Sequence, residues 1–307
     1  MTAPTDPTYP AAPTPPGPMP FFLLLDEGLR LTRAHFRAIF PAVAVPVAVV
    51  STLAGVMQAL DFQSLFKGGT PSPSQLWTPQ VLLLAFLLAL LSAVAYVAGQ
   101  VAALDALAGR PVDMARAWRF AARPAVWGTL LLSFLAILAS FLLCVLPVFF
   151  VAPLLAFAVP VMAEENRFGP GALSRSAELA LFNPSRRLIE HPIVKVLLLM
   201  VVTTLISYLA GLLVALPFQL PMFIDLFRKA LAGDQDVTSV MARWIWLQIP
   251  AQFLSSLART AIYVYTAFGM ALLYADVRGR KEGIDLRPEI DALFPAPAPP
   301  PVEEPWR

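Results

Sequence analysis

Residues 126–163 read VWGTLLLSFLAILASFLLCVLPVFFVAPLLAFAVPVMA, a run of 38 residues without one charged side chain. A helix crossing a hydrocarbon core of about 30 Å needs about 20 residues, so the run is too long for one crossing and sufficient for two short ones. Pro147 and Pro153 offer a point of reversal, because proline has no N–H to donate and its ring crowds the preceding turn. The expected break lies near Leu146–Val148, giving spans at 127–146 and 148–163.

Four more segments meet the same length criterion: 39–60, 81–104, 193–216 and 249–274, the last interrupted by Arg259. The whole composition agrees. Hydrophobic residues make up 58% and charged residues 14%, against roughly 25% charged in soluble domains, and mean hydropathy is +0.70. A net charge of +2 is too small to imply a nucleic-acid partner, and the single Cys144 excludes an intrachain disulfide or a multi-cysteine metal site. The expected fold is all-α: a polytopic membrane protein of six transmembrane helices with amphipathic helices on the cytoplasmic surface.

The charge distribution orients it. Lysine and arginine number 17 in the two tails and the 2–3 and 4–5 loops, against four (Lys67, Arg228, Lys229, Arg243) in the remaining loops. The positive-inside rule then places both termini in the cytoplasm, with the bacterial inner membrane as the expected location. Residues 1–20 carry eight prolines, no basic residue and no apolar run, so they lack the n- and h-regions of a cleavable signal peptide and none is expected. They read as an extended, disordered cytoplasmic tail, and 295–307, with six prolines, reads the same way. Between them lies a membrane domain over 21–294. The Pro10–Pro13 PxxP spacing offers a protein partner a docking point.

An arginine spacing recurs within that domain. Arg30, Arg33 and Arg37 precede the first span, and Arg116, Arg119 and Arg123 precede the third with identical intervals. At 100° per residue each trio occupies one narrow face of a helix, so basic amphipathic helices on the membrane surface are expected to lead into hydrophobic hairpins. Ala172–Phe182 keeps the spacing with Arg175 alone. The trios have two readings. They fix topology beside anionic lipid, each cation contributing on the order of 1 kcal/mol, or they form a specific lipid-phosphate site.

The stretch Leu272-Leu-Tyr-Ala-Asp276-Val-Arg278-Gly-Arg280-Lys-Glu282-Gly283-Ile-Asp285-Leu286 resembles the pattern LLYxDLRxRKEGxDL that closes a broad group of bacterial six-span proteins. The group includes the membrane domain of some glycerophosphoryl diester phosphodiesterases. Leu107–Pro111 and the turn from Pro160 to Glu164 are similar to other parts of it. The resemblance implies the six-span plan over about 21–290. In those phosphodiesterases the chemistry resides in a separate soluble barrel, which the roughly 30 residues after the sixth span are too few to encode, so the activity is not carried over. Physically the motif is a helix leaving the membrane: Tyr274 at the interface, Asp276–Arg280 and Arg278–Glu282 as i,i+4 pairs, and Gly283 as the stop.

Catalytic residue patterns are absent. His35 and His191 are the only histidines and lack HExxH spacing, and no GxSxG, Walker A or GxGxxG occurs. No catalytic, cofactor or metal site is expected. Glu164–Glu165 could hold a cation with Asn166, act as an acid/base pair with Glu178, or pair with nearby arginines. Residues 218–231 suggest an amphipathic helix resting on the outer surface.

Arg259 is the residue that invites a functional reading. A charge within a span costs about 2.5–3.5 kcal/mol on insertion scales. Fifteen residues from Tyr274 at about 1.5 Å each put it roughly 22 Å deep, about 8 Å below the outer surface. It could snorkel outward, pair with Asp225, or face a substrate. Two functions follow. One is a non-catalytic scaffold or accessory subunit that meets protein partners through the proline-rich tails. The other is a transporter or lipid-handling protein that uses Arg259 and the basic helices for an anionic substrate. A cavity lined by Arg259 and Gln100 would favour the second, and a tightly packed bundle the first.

Overall fold

The computed structural model describes residues 19–67, 79–143, 145–182, 190–232 and 237–283, and within them every element is helical. The proline-rich tails fall outside the described residues apart from Met19 and Pro20, as do Cys144, Arg186, Arg187, Asp234, Asp236 and the end of the closing motif. Six helical stretches are long and apolar enough to cross a membrane. The elements are α1 (Phe21–Lys67), α2 (Pro79–Leu107), α3 (Met114–Ala121), α4 (Pro124–Leu143), α5 (Val145–Leu155), α6 (Ala158–Glu164), α7 (Pro170–Ala180), α8 (Pro192–Leu231), α9 (Val237–Trp244) and α10 (Gln248–Glu282).

Helix α1 corrects the expectation of a separate surface helix before the first span. It is one helix of 47 residues, about 70 Å long. Its buried stripe explains the continuity: Leu24, Gly28, Thr32, Ile39, Val43, Ala44, Ala48, Ser51 and Ala54 follow the helical period straight through the junction, so nothing in the packing ends the helix there. Pro41 and Pro46 lie inside it, each removing a single backbone bond. The stripe packs on α10, where Gly28 faces Gly269: a Cβ on Gly28 would stand 3.7 Å from the Gly269 nitrogen. Tyr265 on α10 donates its hydroxyl to the Leu25 carbonyl at 3.1 Å.

Helix α8 likewise runs unbroken for 40 residues, through Pro217 and Pro221, so residues 218–231 continue the fifth span rather than forming a helix of their own. His191 caps its start, the Ile193 N–H donating to Nδ1 at 3.3 Å.

The stretches of the charge-free run that can cross a membrane are Pro124–Leu143 and Pro147–Glu164, the second beginning at one of the two prolines offered as a point of reversal. The fourth span is itself divided at Ala156–Phe157, between α5 and α6. Ser176 of α7 bridges that gap, accepting from the Phe157 N–H at 3.1 Å and donating to the Leu154 carbonyl at 2.6 Å.

Helix α10 is the centre, with α1, α2 and α8 packed around it. Helices α4 and α5 pair with each other and join the rest mainly through α7, with α5 also touching α8. Phe134, Phe141, Leu142 and Leu143 on α4 are left exposed, as a lipid-facing helix requires. The buried core of Phe157, Met162, Leu179, Leu199, Phe268 and Leu273 lies toward the arginine-rich end of the bundle. There the Met19 N–H reaches Asp276 at 3.4 Å, and the buried Lys195 ammonium donates to the Met19 carbonyl at 2.7 Å. The start of α1 is thus beside the end of α10, as an even number of crossings demands.

The closing motif folds as its spacing predicts. Asp276 pairs with Arg280, Arg278 with Glu282 at 3.0 Å, and Gly283 ends α10 in the left-handed region at φ 65°. The motif also reaches α7: Arg175 contacts Glu282 and lies 3.1 Å from Glu165, while Lys281 lies 2.5 Å from Glu178.

Candidate binding cleft

Arg259 stands on the face of α10 that also carries Ser256, Tyr263, Thr266 and Met270, a 3-4-3-4 spacing that aligns them along one side. It faces α8, whose Thr203, Ser207 and Gly211 repeat every four residues. Between the two helices on one side and α4, α5 and α6 on the other lies a cleft of about 590 Å³. A second cavity of about 290 Å³ lies among α1, α2 and α10, and Ser207, Arg259 and Tyr263 line both. Measured along α10 from Tyr274, the larger cleft spans depths of roughly 6 Å at Met270 to roughly 22 Å at Arg259.

The Arg259 side chain is exposed to this space. Its guanidinium lies across the backbone of Gly211, where a Cβ would meet Nε at 2.7 Å. The expected pair with Asp225 is not formed: that carboxylate accepts from Trp244 Nε1 at 2.7 Å and lies 3.6 Å from Arg243. No other described residue takes its place as an ion-pair partner of Arg259. Glycine at 211 provides the room, and Ser255 holds the same peptide by donating to the Gly211 carbonyl at 3.1 Å.

The walls are mainly apolar, from Leu130, Ile137, Leu155, Met200 and Ile262, with hydroxyls interspersed. Ser133, Thr203 and Thr266 donate to their own helices, at 2.9 Å to Thr129, 2.7 Å to Leu199 and 2.9 Å to Ile262, so toward the cleft they offer an acceptor. Tyr96 and Tyr263 meet with ring centroids 5.0 Å apart. Gln100 is not a lining residue, which corrects half of the discriminating expectation. It is buried and acts through Tyr96, donating to its hydroxyl at 2.7 Å. The Tyr263 hydroxyl and Gln100 Oε1 are buried without a partner among the described residues. Each such group costs about 1–3 kcal/mol.

The arginine trios diverge. Arg30 pairs with Glu27 at 2.5 Å, and Arg33 and Arg37 are exposed along α1. Arg116, Arg119 and Arg123 instead gather with Arg110 around a separate cavity of about 380 Å³ at the arginine-rich end. Glu164 turns into that cavity to meet Arg110, whose guanidinium is pushed to a higher pKa by this bond above all. Its neighbour Glu165 turns the other way, to Arg175 and to the Tyr274 hydroxyl at 3.1 Å. The adjacent carboxylates therefore do not act as a pair, and Glu178 joins neither in a cation site. Among the described residues no three His, Cys, Asp or Glu side chains come together as metal ligands.

No family model, curated protein or solved structure matches the chain. The cleft is read from its own chemistry.

Sequence reasoning missed Gly211, Ser207, Tyr96 and Tyr263. The four-residue spacings of Ser207 with Gly211 on α8 and of Arg259 with Tyr263 on α10 are visible in the sequence, but not which helices face each other, and Tyr96 comes from a third helix, α2.

Proposed function

We propose that this chain is a lipid-handling protein of the bacterial cytoplasmic membrane, with both termini in the cytoplasm. It takes an anionic amphiphile into the cleft between the α4–α6 limb and α8/α10. The observation that carries the reading is the Arg259 guanidinium, without an ion-pair partner among the described residues, at the deep end of an apolar cleft. A charge held there costs about 2.5–3.5 kcal/mol on insertion scales, and an anionic headgroup would offset that cost with charge-assisted hydrogen bonds. The hydrocarbon tail would lie along Ile137, Leu155 and Ile262 toward Met270. A hydroxyl on the ligand would supply the partner that Tyr263 lacks.

A fatty acid carrying a diazirine in its chain tests this with the full-length protein in detergent. Photolysis is expected to label α8 near Thr203–Ser207 and α10 near Ile262–Thr266, and Arg259→Leu to abolish the label. Labelling spread over the exposed faces of α4, unchanged in the variant, would contradict it. The scaffold reading would then return, with co-purification of a protein partner as its own test. No catalytic step is assigned.

A further inference from the structure

We infer that the cavity formed by α2, α3 and the end of α6 is a binding site for a phosphate monoester, separate from the Arg259 cleft and not dependent on it. Four arginines face about 380 Å³ of space together with two carboxylates, Asp105 and Glu164. The carboxylates are committed. Arg110 contacts Glu164 and lies 2.8 Å from Asp105 Oδ1, and Arg116 reaches the same oxygen at 3.5 Å.

Arg119 and Arg123 have no carboxylate among the described residues. Arg119 donates to the Ala115 carbonyl of its own helix at 3.3 Å, and Arg123 lies over the Phe120 ring, 5.2 Å from its centroid. The lining thus carries two positive charges beyond its negative ones. A phosphate monoester carries a charge of about −1.5 to −2 at neutral pH and three strong acceptor oxygens, which planar guanidinium forks match in geometry.

A second observation points to the same ligand. Asp105 is only 1% exposed, and its Oδ2 has no hydrogen-bond partner among the described residues. A buried carboxylate oxygen requires a donor. The P–OH of a singly protonated phosphate monoester supplies one where its other oxygens meet arginine. A phosphodiester carries the same single charge as that protonated monoester but has no such hydroxyl, and it offers two non-bridging oxygens where the monoester has three. Val101 and Ala163 close the side of the cavity toward the spans, so the phosphate could come from a lipid headgroup or from free solution.

The test is native mass spectrometry of the full-length protein in phosphatidylcholine nanodiscs containing phosphatidic acid. One phosphatidic acid is expected to bind saturably. Arg119→Gln with Arg123→Gln should weaken it at least tenfold, and the charge-matched Arg33→Gln with Arg37→Gln should leave it unchanged. Phosphatidylglycerol should bind at least tenfold more weakly than phosphatidic acid. If the glutamine pair fails to accumulate, Arg119→Lys with Arg123→Lys keeps the charge, removes the forks, and must still weaken binding. Displacement by millimolar inorganic phosphate would identify free anion as a source. Its failure would identify the lipid headgroup, and either result supports the monoester site. Equal loss in both glutamine pairs, no loss in either, or phosphatidylglycerol binding as tightly would overturn it. Arg259→Leu should not alter this binding, which keeps its failure separate from that of the cleft.

Discussion

The guanidinium of Arg259 and the backbone of Gly211 occupy one another's space: a single methyl on Gly211 would stand 2.7 Å from Arg259 Nε. Gly211→Ala must therefore push the guanidinium aside. Alanine is favoured over glycine inside a helix by roughly 0.5–1 kcal/mol, so the fold should hold or gain slightly while ligand retention falls several-fold. Thermal unfolding measured beside ligand retention separates the two effects. A parallel loss of both would show that Gly211 serves packing alone.

Ser176 is the bridge across the divided fourth span. Ser176→Ala removes the acceptor of the Phe157 N–H and the donor to Leu154 together. Buried groups left unpaired cost about 1–3 kcal/mol, so the melting temperature in detergent should drop clearly. Ser174→Ala, whose exposed hydroxyl donates only to Gly171 at 3.1 Å, is the matched control and should change little.

The clamp between α7 and α10 should be acid-sensitive. Hydrogen bonds from Lys281 and then Arg175 hold the Glu178 carboxyl below its ordinary pKa of 4.5. A carboxyl with a depressed native pKa stabilises the fold above its unfolded value and loses that contribution as pH falls through the native one. Wild-type stability should therefore decline slightly more than that of Glu178→Gln between about pH 5 and about pH 3. The difference is small because the pair is solvent-screened. Identical slopes in the two proteins would show that the clamp contributes nothing.

Orientation can be read by labelling in a Cys144→Ala background. Arg243→Cys should react with an impermeant thiol reagent from outside intact cells, and Arg119→Cys only after permeabilisation. The reverse pattern would invert the topology.

The bundle was largely legible in the sequence because each crossing is an apolar run of sufficient length with at most one charge, and membrane insertion depends on little else. Proline was the misleading signal. At Pro41, Pro46, Pro217 and Pro221 it is absorbed within a helix, because neighbouring packing outweighs one missing backbone bond. The clefts were not legible. Arg259 stood out as a charge in a span, but Thr203, Ser207 and Gly211 matter only because α8 faces α10, and the sequence pattern does not specify that pairing. The divergence of Glu164 and Glu165 had the same cause, since it depends on where α3 and α7 dock.

The most direct measurement is native mass spectrometry of the protein extracted gently from its own membrane, wild type and Arg259→Leu side by side. The wild type should retain one anionic amphiphile that the variant lacks at equal expression. An identical complement of bound molecules in both, or a co-purifying protein with no small ligand in either, would contradict the cleft reading.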